Sequence, residues 1–341
     1  MPSVEGSAVT RVLVTMPFSE AQLDRIRAAS PRITVTRDDP ARADYREVEV
    51  LYTERPPADP AQAPDLRWIQ LHMAGVNSLQ EHPFYRDSDI PLTTTSGVHA
   101  STIAEYVIAV LLALAHRVPR MVEWHGRKAW PPDADRWRLF VPTEVRGATI
   151  GLIGYGSIGR ELARIAVSAF GMTVLACKRN PAERTDRGYG LPGTGDREGR
   201  LPAGWFGPAE LPRMLPRCDV VVLCAPLTAE TRRLIDRAAI SAMKPTAYFI
   251  NVGRGASVDE AALAEALREK RIAGAGIDVF AQEPPAAGHP FYDLDNVIVS
   301  PHVSGFLPSY DDRCAELFAE NLRRYLAREP LLNLVDRARG Y

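Results

Sequence analysis

Short apolar runs alternate with amphipathic segments in the first hundred residues of the chain. The runs are rich in valine, leucine, isoleucine and threonine and have the length of a strand, whereas residues 20–30 place their apolar positions at helical spacing. Strands that alternate with helices are typical of an α/β domain built on a parallel sheet. The strands predicted in this part span residues 11–16, 33–37, 48–53, 66–71 and 90–95.

Residues 101–121 include the longest apolar stretch of the chain and precede a segment with three tryptophans. The stretch is apolar nearly all round, which predicts one buried helix, and its length and Glu105 are inconsistent with a membrane span. Residues 122–147 then place the tryptophans among charges and prolines. Such an arm either folds back on its own chain or embraces a second subunit.

The alternation of strands and helices resumes from residue 148 onward. Residues 182–209, which are rich in glycine and proline, interrupt it. Helices are predicted at 160–170, 228–243, 259–270 and 308–328, and strands at 172–177, 218–226, 247–253, 274–280 and 296–302.

Three glycines with the spacing GxGxxG follow the apolar run that begins at residue 148. Gly154 permits a tight turn from strand to helix, Gly156 lets a pyrophosphate approach the backbone, and Gly159 lets the helix pack on the strand. The N–H groups at the start of the helix then face the phosphates. Together with the amphipathic helix at 160–170 and the strand after it, the pattern predicts a βαβ dinucleotide-binding unit.

Composition and charge exclude several classes of function. The 341 residues are 46% hydrophobic and 24% charged, and a formal net charge of −1 gives no electrostatic basis for binding nucleic acid or an anionic membrane. The four cysteines form no CxxC pair and no zinc spacing, so no metal site is expected. The first ten residues lack the basic region and apolar core of a signal peptide. We therefore expect a soluble, cytoplasmic protein of about two domains.

Three polar residues, Arg254, Glu283 and His302, follow or end three successive predicted strands. Ligands of an open doubly wound sheet bind outside the carboxyl ends of its strands, so these side chains are expected at one site. A histidine can give a carbonyl oxygen its proton as hydride arrives, a carboxylate can hold the ring, and an arginine can clamp a substrate carboxylate. The set predicts hydride transfer to a small 2-keto acid, although each residue alone also fits an ordinary surface, turn or strand end.

Through several matching stretches, the chain resembles the D-isomer-specific 2-hydroxyacid dehydrogenase family over nearly the whole length of the chain. The series RG…DVF…EP…PH is specific to that family. The resemblance implies that His302 is the acid/base, that Glu283 is its partner, and that Arg254 binds the carboxylate and carbonyl of the substrate. The matching stretches are GLIGYGSIG, CAPLTAETRRLI, NVGRGASVDEAALAEAL, AGAGIDVFAQEP, NVIVSPHVSG and, more weakly, LHMAGVNSL and GVHASTIAEYV.

The resemblance also implies where the cofactor and the substrate bind. Asp278 would hold the nicotinamide carboxamide, and the loop of Ala74, Gly75 and Val76 would offer backbone N–H groups to the substrate carboxylate. The other cofactor-binding residues implied, apart from the segment after residue 177, are Gly154, Tyr155, Gly156, Ser157, Ile158, Gly159, Ala225, Pro226, Thr228, Val252, Gly253 and Ser304.

The same resemblance explains why the glycine turn lies near the middle of the chain. It implies an α/β protein with a flavodoxin-like substrate domain at residues 1–104 and 307–341. A Rossmann-type dinucleotide-binding domain with a doubly wound parallel sheet is inserted at 105–306. The family further implies a two-fold homodimer built on the dinucleotide-binding domains. The glyoxylate/hydroxypyruvate reductase branch fits best, and a cofactor-sensing corepressor of the same fold is the alternative.

The residues after the strand at 172–177 depart from the family pattern and bear on the choice of cofactor. An acidic residue about 20 positions beyond the glycines usually binds the ribose 2′-hydroxyl of NAD. Here the chain reads Lys178, Arg179, Asn180, whose two cations favour a 2′-phosphate, so NADP(H) is expected over NAD(H). Two alternatives stay open: the cations point into solvent, or the 182–209 segment supplies an acid such as Asp186 to the ribose.

Overall fold

The computed structural model describes residues 9–341, and these form two compact units. The predicted boundary between residues 104 and 105 would cut through a helix that lies wholly in the second unit. The expectation that the chain lacks a signal segment concerns the first ten residues, of which 1–8 lie outside the described part. The first unit holds the chain up to residue 98, residues 187–189 and the chain from 307 onward, and the second holds 99–186 and 190–306.

The first unit is built on a five-stranded parallel sheet in the order β2-β1-β3-β4-β5, which is the flavodoxin-like order. Every residue of its third and fourth strands is buried, because alternate side chains enter two separate hydrophobic cores, one on each face of the sheet. The strands are β1 Thr10–Val14, β2 Ile33–Arg37, β3 Val50–Thr53, β4 Trp68–Leu71 and β5 Leu92–Thr93.

The second unit is built on a seven-stranded parallel sheet in the order β12-β11-β10-β9-β6-β7-β8. The strand order reverses between β6 and β9, which is the switch point where doubly wound sheets bind their ligands. The predicted fold class is therefore confirmed. The strands are β6 Thr149–Ile153, β7 Thr173–Cys177, β8 Gly204–Phe206, β9 Val220–Leu223, β10 Tyr248–Asn251, β11 Gly274–Ile277 and β12 Val297–Val299.

Helices connect the strands of both sheets. The first begins at Ser19, whose hydroxyl accepts from the Gln22 N–H while the Gln22 side chain accepts from the Ser19 N–H, a reciprocal cap. The helices are α1 Glu20–Arg27, α2 Pro83–Arg86, α3 Ala100–Ala115, α4 Val118–Gly126, α5 Asp133–Phe140, α6 Ser157–Phe170, α7 Leu211–Met214, α8 Arg237–Ser241, α9 Glu260–Arg268 and α10 Tyr310–Ala327.

The single helix predicted at 101–121 is in fact two helices, α3 and α4, which meet at 65°. The chain turns there because Arg117 adopts a left-handed φ of 58° and Pro119 lies in the first turn of α4. Among the described residues no single helix is long and apolar enough to cross a membrane, although the bent pair reaches that length and composition. Half of the α3 residues are buried, and α3 packs into the core of the second unit.

The helix predicted at 228–243 is also wrong over most of its length. Within this range only α8 is an α-helix, because the backbone of Ile235 pairs with the chain around Val258 and not within a helix. The N–H of Ile235 donates to Ser257 O (3.0 Å), and its carbonyl accepts from Asp259 N (2.9 Å). The helix begins after this bridge, at Asp236, whose carboxylate accepts from Ala239 N (2.8 Å).

Most of the glycine- and proline-rich segment at 182–209 belongs to the second unit and is folded. It ends in β8, which adds the seventh strand to the edge of the sheet beside β7, a strand that the periodicity of the sequence does not reveal. The segment also covers the first turn of α6. Two charged residues of that helix, Arg160 and Glu161, are each only 3% exposed as a result.

The buried Arg160 and Glu161 of α6 make hydrogen bonds to the backbone of this segment, and Glu161 also pairs with Arg164 of the same helix (2.6 Å). Arg160 donates to the carbonyl oxygens of Arg184 (2.6 Å) and Asp196, and Glu161 Oε2 accepts from Gly195 N (2.6 Å). Asp196 Oδ2 in turn accepts from the hydroxyl of Tyr155 at 2.7 Å. Buried charged groups are stable only when they are paired in this way, so the segment and the helix form one packed element.

Candidate active site

The turn between β6 and α6 has three glycines, two of which are required by close contacts within the protein. Gly154 has a left-handed φ of 103°, and a Cβ there would lie 2.6 Å from the N of Ala225. A Cβ at Gly159 would lie 2.3 Å from the carbonyl oxygen of Gly154, whereas a Cβ at Gly156 would meet nothing within 4 Å. The open surface at Gly156, together with a helix start that no side chain caps, suits the pyrophosphate of a dinucleotide.

His302 and Glu283 are brought together by the two loops that follow β11 and β12. Nδ1 of His302 lies 2.8 Å from Oε2 of Glu283, and the other carboxylate oxygen accepts from Phe280 N at 2.9 Å. Because a carboxylate only accepts, Nδ1 carries the proton of this bond, which fixes the tautomer of the ring. The two side chains are 49% and 37% exposed, so the pair is open to a small molecule.

His302 stands in a segment that is held from behind by Asp278. The Asp278 side chain is fully buried, and its oxygens accept from Ser300 Oγ (2.5 Å), Val303 N (2.9 Å) and Ser304 N (3.1 Å). Its backbone carbonyl accepts from His302 N (2.8 Å). These bonds hold His302 at a φ of 56°, which few residues other than glycine adopt. The resemblance implies that Asp278 holds the nicotinamide carboxamide. In the structure both of its carboxylate oxygens accept hydrogen bonds from the protein itself.

Arg254 follows β10 and is half-buried. Its Nη1 donates to Gly253 O (2.7 Å), and its own carbonyl accepts from the Asn251 side chain (3.3 Å). Burial lowers the pKa of the Arg254 guanidinium, and the negative charge of Glu283, in the loop after β11, opposes that shift. A Cβ at Gly255 would lie only 1.8 Å from the carbonyl carbon of Phe280, which shows how tightly these two loops pack.

The other residues predicted at the cofactor also lie at the carboxyl ends of strands. Ala225, Pro226 and Thr228 follow β9, and Val252 and Gly253 follow β10. The two loops touch, since a Cβ at Gly253 would lie 2.8 Å from the carbonyl oxygen of Ala225. The Thr228 hydroxyl accepts from the N–H of Thr231 at 3.3 Å and so shapes the loop.

The segment after β7 is tied to the residues that follow it. Lys178 Nζ donates to the carbonyl oxygen of Glu183, and burial, with the charge of Arg160 second, lowers the pKa of the Lys178 ammonium. Asn180 Oδ1 accepts from the N–H of Ala182 (3.1 Å), so this oxygen closes a local turn. Arg179 is exposed.

Asp186, the alternative acid for the ribose, lies in the same region. Its carboxylate is 3.3 Å from Nε of the buried Arg160, so Asp186 is engaged in an ion pair. Among the described residues no cluster of histidine, cysteine or acidic side chains could hold a metal ion.

The loop predicted to bind the substrate carboxylate belongs to the first unit. Ala74 and Gly75 are half-buried and Val76 is buried. They follow the carboxyl end of β4 and lead into a short 3₁₀ turn at Asn77–Leu79, which the Leu79 N–H closes by donating to Val76 O (2.9 Å).

Two residues near His302 were not predicted. His99 precedes α3, and a Cβ on Gly305 would be 3.5 Å from its ring. Burial, and then the charges of Arg254 and His302, lower the pKa of His99 to about 4. Tyr106 of α3 places its hydroxyl 2.5 Å from Ser300 Oγ. Only the long-range packing of α3 reveals these contacts, although the polar residues on an otherwise apolar helix were a signal.

Comparisons with known proteins identify the family. Residues 108–304 match the family model of the D-isomer specific 2-hydroxyacid dehydrogenase NAD binding domain. The chain is 34% identical over 303 residues to a glyoxylate reductase of Aeropyrum pernix, which covers 86% of this chain and 84% of that protein.

Solved structures agree with this result. A D-isomer specific 2-hydroxyacid dehydrogenase from Xanthobacter autotrophicus Py2, in complex with NADPH and MES, superposes with a TM-score of 0.78 at 29% identity, covering 98% of this chain and 100% of that one. An NADPH-dependent glyoxylate/hydroxypyruvate reductase from Sinorhizobium meliloti, in complex with NADP and sulfate, gives a TM-score of 0.76 at 26% identity, covering 97% and 100%. The chain therefore belongs to the D-isomer specific 2-hydroxyacid dehydrogenase family, with glyoxylate reductases among its relatives and NAD(P) as the cofactor class of its dinucleotide-binding domain.

Proposed function

We propose that this protein reduces short 2-keto acids of the glyoxylate and hydroxypyruvate type with NADPH, and forms the D-2-hydroxy acid where the product is chiral. The observation that carries the proposal is the 2.8 Å contact between His302 Nδ1 and Glu283 Oε2, beside the closely packed loop that carries Arg254. The cofactor, once bound along the glycine turn, supplies the hydride.

His302 acts as the general acid. Its Nδ1–H bond to Glu283 leaves Nε2 as the nitrogen that gives a proton to the substrate oxygen as negative charge develops there. In the reverse direction Nε2 takes the proton, and the carboxylate of Glu283 stabilises the imidazolium that results. Arg254 binds the substrate carboxylate through two N–H donors and orients the carbonyl towards His302.

Substitution of these residues tests the assignment. His302→Ala should lower kcat by about 10²- to 10⁴-fold on glyoxylate or hydroxypyruvate, the range expected for the loss of a positioned acid. Arg254→Lys should also be severe, because an ammonium cannot reproduce the two-pronged contact. His116→Ala, which removes an exposed histidine at the end of α3, is the control and should leave kcat unchanged.

Wild-type turnover in the His302→Ala variant would refute the assignment. Inactivity of the wild type towards a panel of 2-keto acids with both cofactors, combined with tight binding of a nicotinamide cofactor, would favour the cofactor-sensing binding module instead.

We also propose that NADPH is preferred over NADH. The support is the pair of cations after β7 and the placement of Asp186, whose Oδ2 lies 3.3 Å from Nε of the buried Arg160. A charge-assisted hydrogen bond to the 2′-phosphate contributes about 1.5–3 kcal/mol, which corresponds to at least a tenfold preference. Lys178 and Arg179 are the residues that make this contact.

Measurement of kcat/KM with both cofactors tests the preference. The double variant Lys178→Asp, Arg179→Ala should lose at least about tenfold in the ratio of NADPH to NADH efficiency. The control Arg268→Ala, Lys270→Asp makes the same change of charge at exposed positions at the end of α9 and should keep the wild-type ratio. A wild-type preference for NADH that neither variant changes would contradict the proposal.

Finally, we propose that the protein is a homodimer that uses the arm formed by α4 and α5. Trp130 and Trp137 are 81% and 79% exposed, and Val122 of α4 is 64% exposed, more apolar surface than an isolated arm usually leaves in water. Light scattering should give twice the 37.6 kDa mass of the chain.

The variant Trp130→Ser, Trp137→Ser should shift the dimer towards the monomer, whereas Tyr292→Ser, at an exposed tyrosine outside the arm, should not. A monomer mass for the wild type at micromolar concentration would exclude the dimer.

A further inference from the structure

A chain of two hydroxyl groups connects helix α3 to the carboxylate behind His302. Tyr106 Oη lies 2.5 Å from Ser300 Oγ, which lies 2.5 Å from Oδ1 of Asp278. A carboxylate only accepts, so the Ser300 hydroxyl donates its one proton to Asp278. The Tyr106 hydroxyl must then donate to Ser300 Oγ. Burial, and also the charge of Asp278, raise the pKa of Tyr106 against the effect of the bond to Ser300, so the phenol keeps the proton that it donates.

The series of hydrogen bonds from Tyr106 through Ser300 to Asp278 ends at the segment that carries His302. Asp278 accepts from Val303 N and Ser304 N through its side chain and from His302 N through its carbonyl. A left-handed φ at a residue other than glycine costs about 1–3 kcal/mol and persists only where the surroundings enforce it. Asp278 provides that enforcement, and the Ser300 hydroxyl, which shares Oδ1 with Val303 N, helps to hold the orientation of its carboxylate.

We propose that Tyr106 and Ser300 are positioning residues, which orient the Asp278 carboxylate and thereby fix His302 in the geometry that reaches Glu283. Neither residue contacts the reacting atoms. The inference rests on the proposed function of His302 as the general acid. Their contribution is to the precision of the site, because a misplacement of a catalytic group by about 1 Å can lower a rate by about 100-fold.

The hydroxyl of Tyr106 is separable from the packing of its ring. Tyr106 is half-buried against the core formed by α3, α6 and the second sheet, and phenylalanine would fill the same space. Tyr248 offers a matched comparison, since it is buried in the same core and its hydroxyl donates to Thr143 Oγ1 at 3.2 Å, away from the 300–304 segment. Tyr106→Phe and Tyr248→Phe therefore make the same chemical change, but only the Tyr106 hydroxyl is connected to the segment that carries His302.

The test compares Tyr106→Phe, Ser300→Ala, their combination and the control Tyr248→Phe, with glyoxylate and NADPH as substrates. Ser300→Ala should lower kcat about 10- to 30-fold, and Tyr106→Phe about 3- to 10-fold, with KM and the Kd of NADPH changed less than about threefold. Because the two hydroxyls act in series, the combination should be no worse than Ser300→Ala alone. Ser300→Thr keeps the hydroxyl and should restore most of kcat, and Tyr248→Phe should retain it.

A spectroscopic readout does not depend on turnover. In protein labelled with ¹³C at histidine Cε1, the resonance of His302, assigned through the His302→Ala variant, should move in Tyr106→Phe and stay in place in Tyr248→Phe.

The outcomes separate the two proposals. If His302→Ala keeps wild-type turnover, the proposed function fails whatever the hydroxyl variants do. If His302→Ala is inactive while Tyr106→Phe and Ser300→Ala match Tyr248→Phe in kcat and in the His302 resonance, only the positioning role is overturned. Losses in the two single variants that multiply in the combination would likewise contradict a series connection.

Discussion

His99 should make the folded protein sensitive to mild acid. Its ring lies against Gly305, where burial and the charges of Arg254 and His302 lower its pKa from 6.5 to about 4. A histidine in the unfolded chain titrates near 6.5, so between these two values the unfolded state binds a proton that the folded state excludes. The stability of the fold therefore falls as the pH drops through this window.

The size of the effect follows from the pKa of His99. At about 1.4 kcal/mol for each pKa unit, the difference between 6.5 and about 4 amounts to about 3 kcal/mol when both states are protonated. At about pH 5 the unfolded state is already charged and the folded state is not, so about 2 kcal/mol of the free energy of unfolding is lost. This loss is a large share of the free energy of unfolding of a typical domain, which is about 5–15 kcal/mol.

Urea unfolding at about pH 8 and about pH 5 measures the effect in the wild type and in His99→Gln. The substitution changes native packing equally at both pH values, and the other histidines contribute alike in both proteins. The wild type should therefore lose about 2 kcal/mol more than His99→Gln between the two conditions. His125→Gln, at an exposed histidine of α4, should behave as the wild type does. Equal losses in the wild type and in His99→Gln would refute the reasoning.

Three more predictions concern the turn between β6 and α6. Gly159→Ala should destabilise the protein by about 1–3 kcal/mol in thermal or urea unfolding, because its Cβ would overlap the Gly154 carbonyl oxygen. Gly156→Ala should melt like the wild type yet bind NADPH more weakly in a fluorescence titration, since its Cβ meets only open space; equal melting temperatures in the two variants would count against this view of the turn. Tyr155→Phe should cost about 1.5–3 kcal/mol by urea unfolding, because the Asp196 carboxylate loses a donor, and an unchanged midpoint would argue that water replaces it.

Local patterns predicted the parts of the structure that depend on local constraints. The glycine turn was recognisable because two close contacts and one open backbone position fall within six residues, and the strands because both of their faces are buried. The predicted carboxyl-end residues Glu283 and His302 do meet, since parallel strands end at the same edge of a sheet.

The features that were missed depend on contacts that are distant in sequence. The break after α3 was missed although Pro119 is a local signal for the start of a helix, and the left-handed Arg117 itself has no mark in the sequence. Residues 228–235 have helical composition, but Arg233 and Ile235 donate their N–H groups to the chain just before Val258. Tyr106 and Ser300 are separated by 194 positions, and no short motif marks their contact.

Charged residues on an amphipathic helix are usually taken to face water, but at the start of α6 they do not. Arg160 and Glu161 are buried because the 182–209 segment lies over them and supplies their partners. The helix and the 182–209 segment must therefore be kept or redesigned together. Shortening this segment to a plain turn would remove the carbonyl acceptors of Arg160 and the Asp196 partner of the Tyr155 hydroxyl, and would leave Glu161 with Arg164 as its partner. An engineered deletion must therefore replace Arg160 and Tyr155 at the same time.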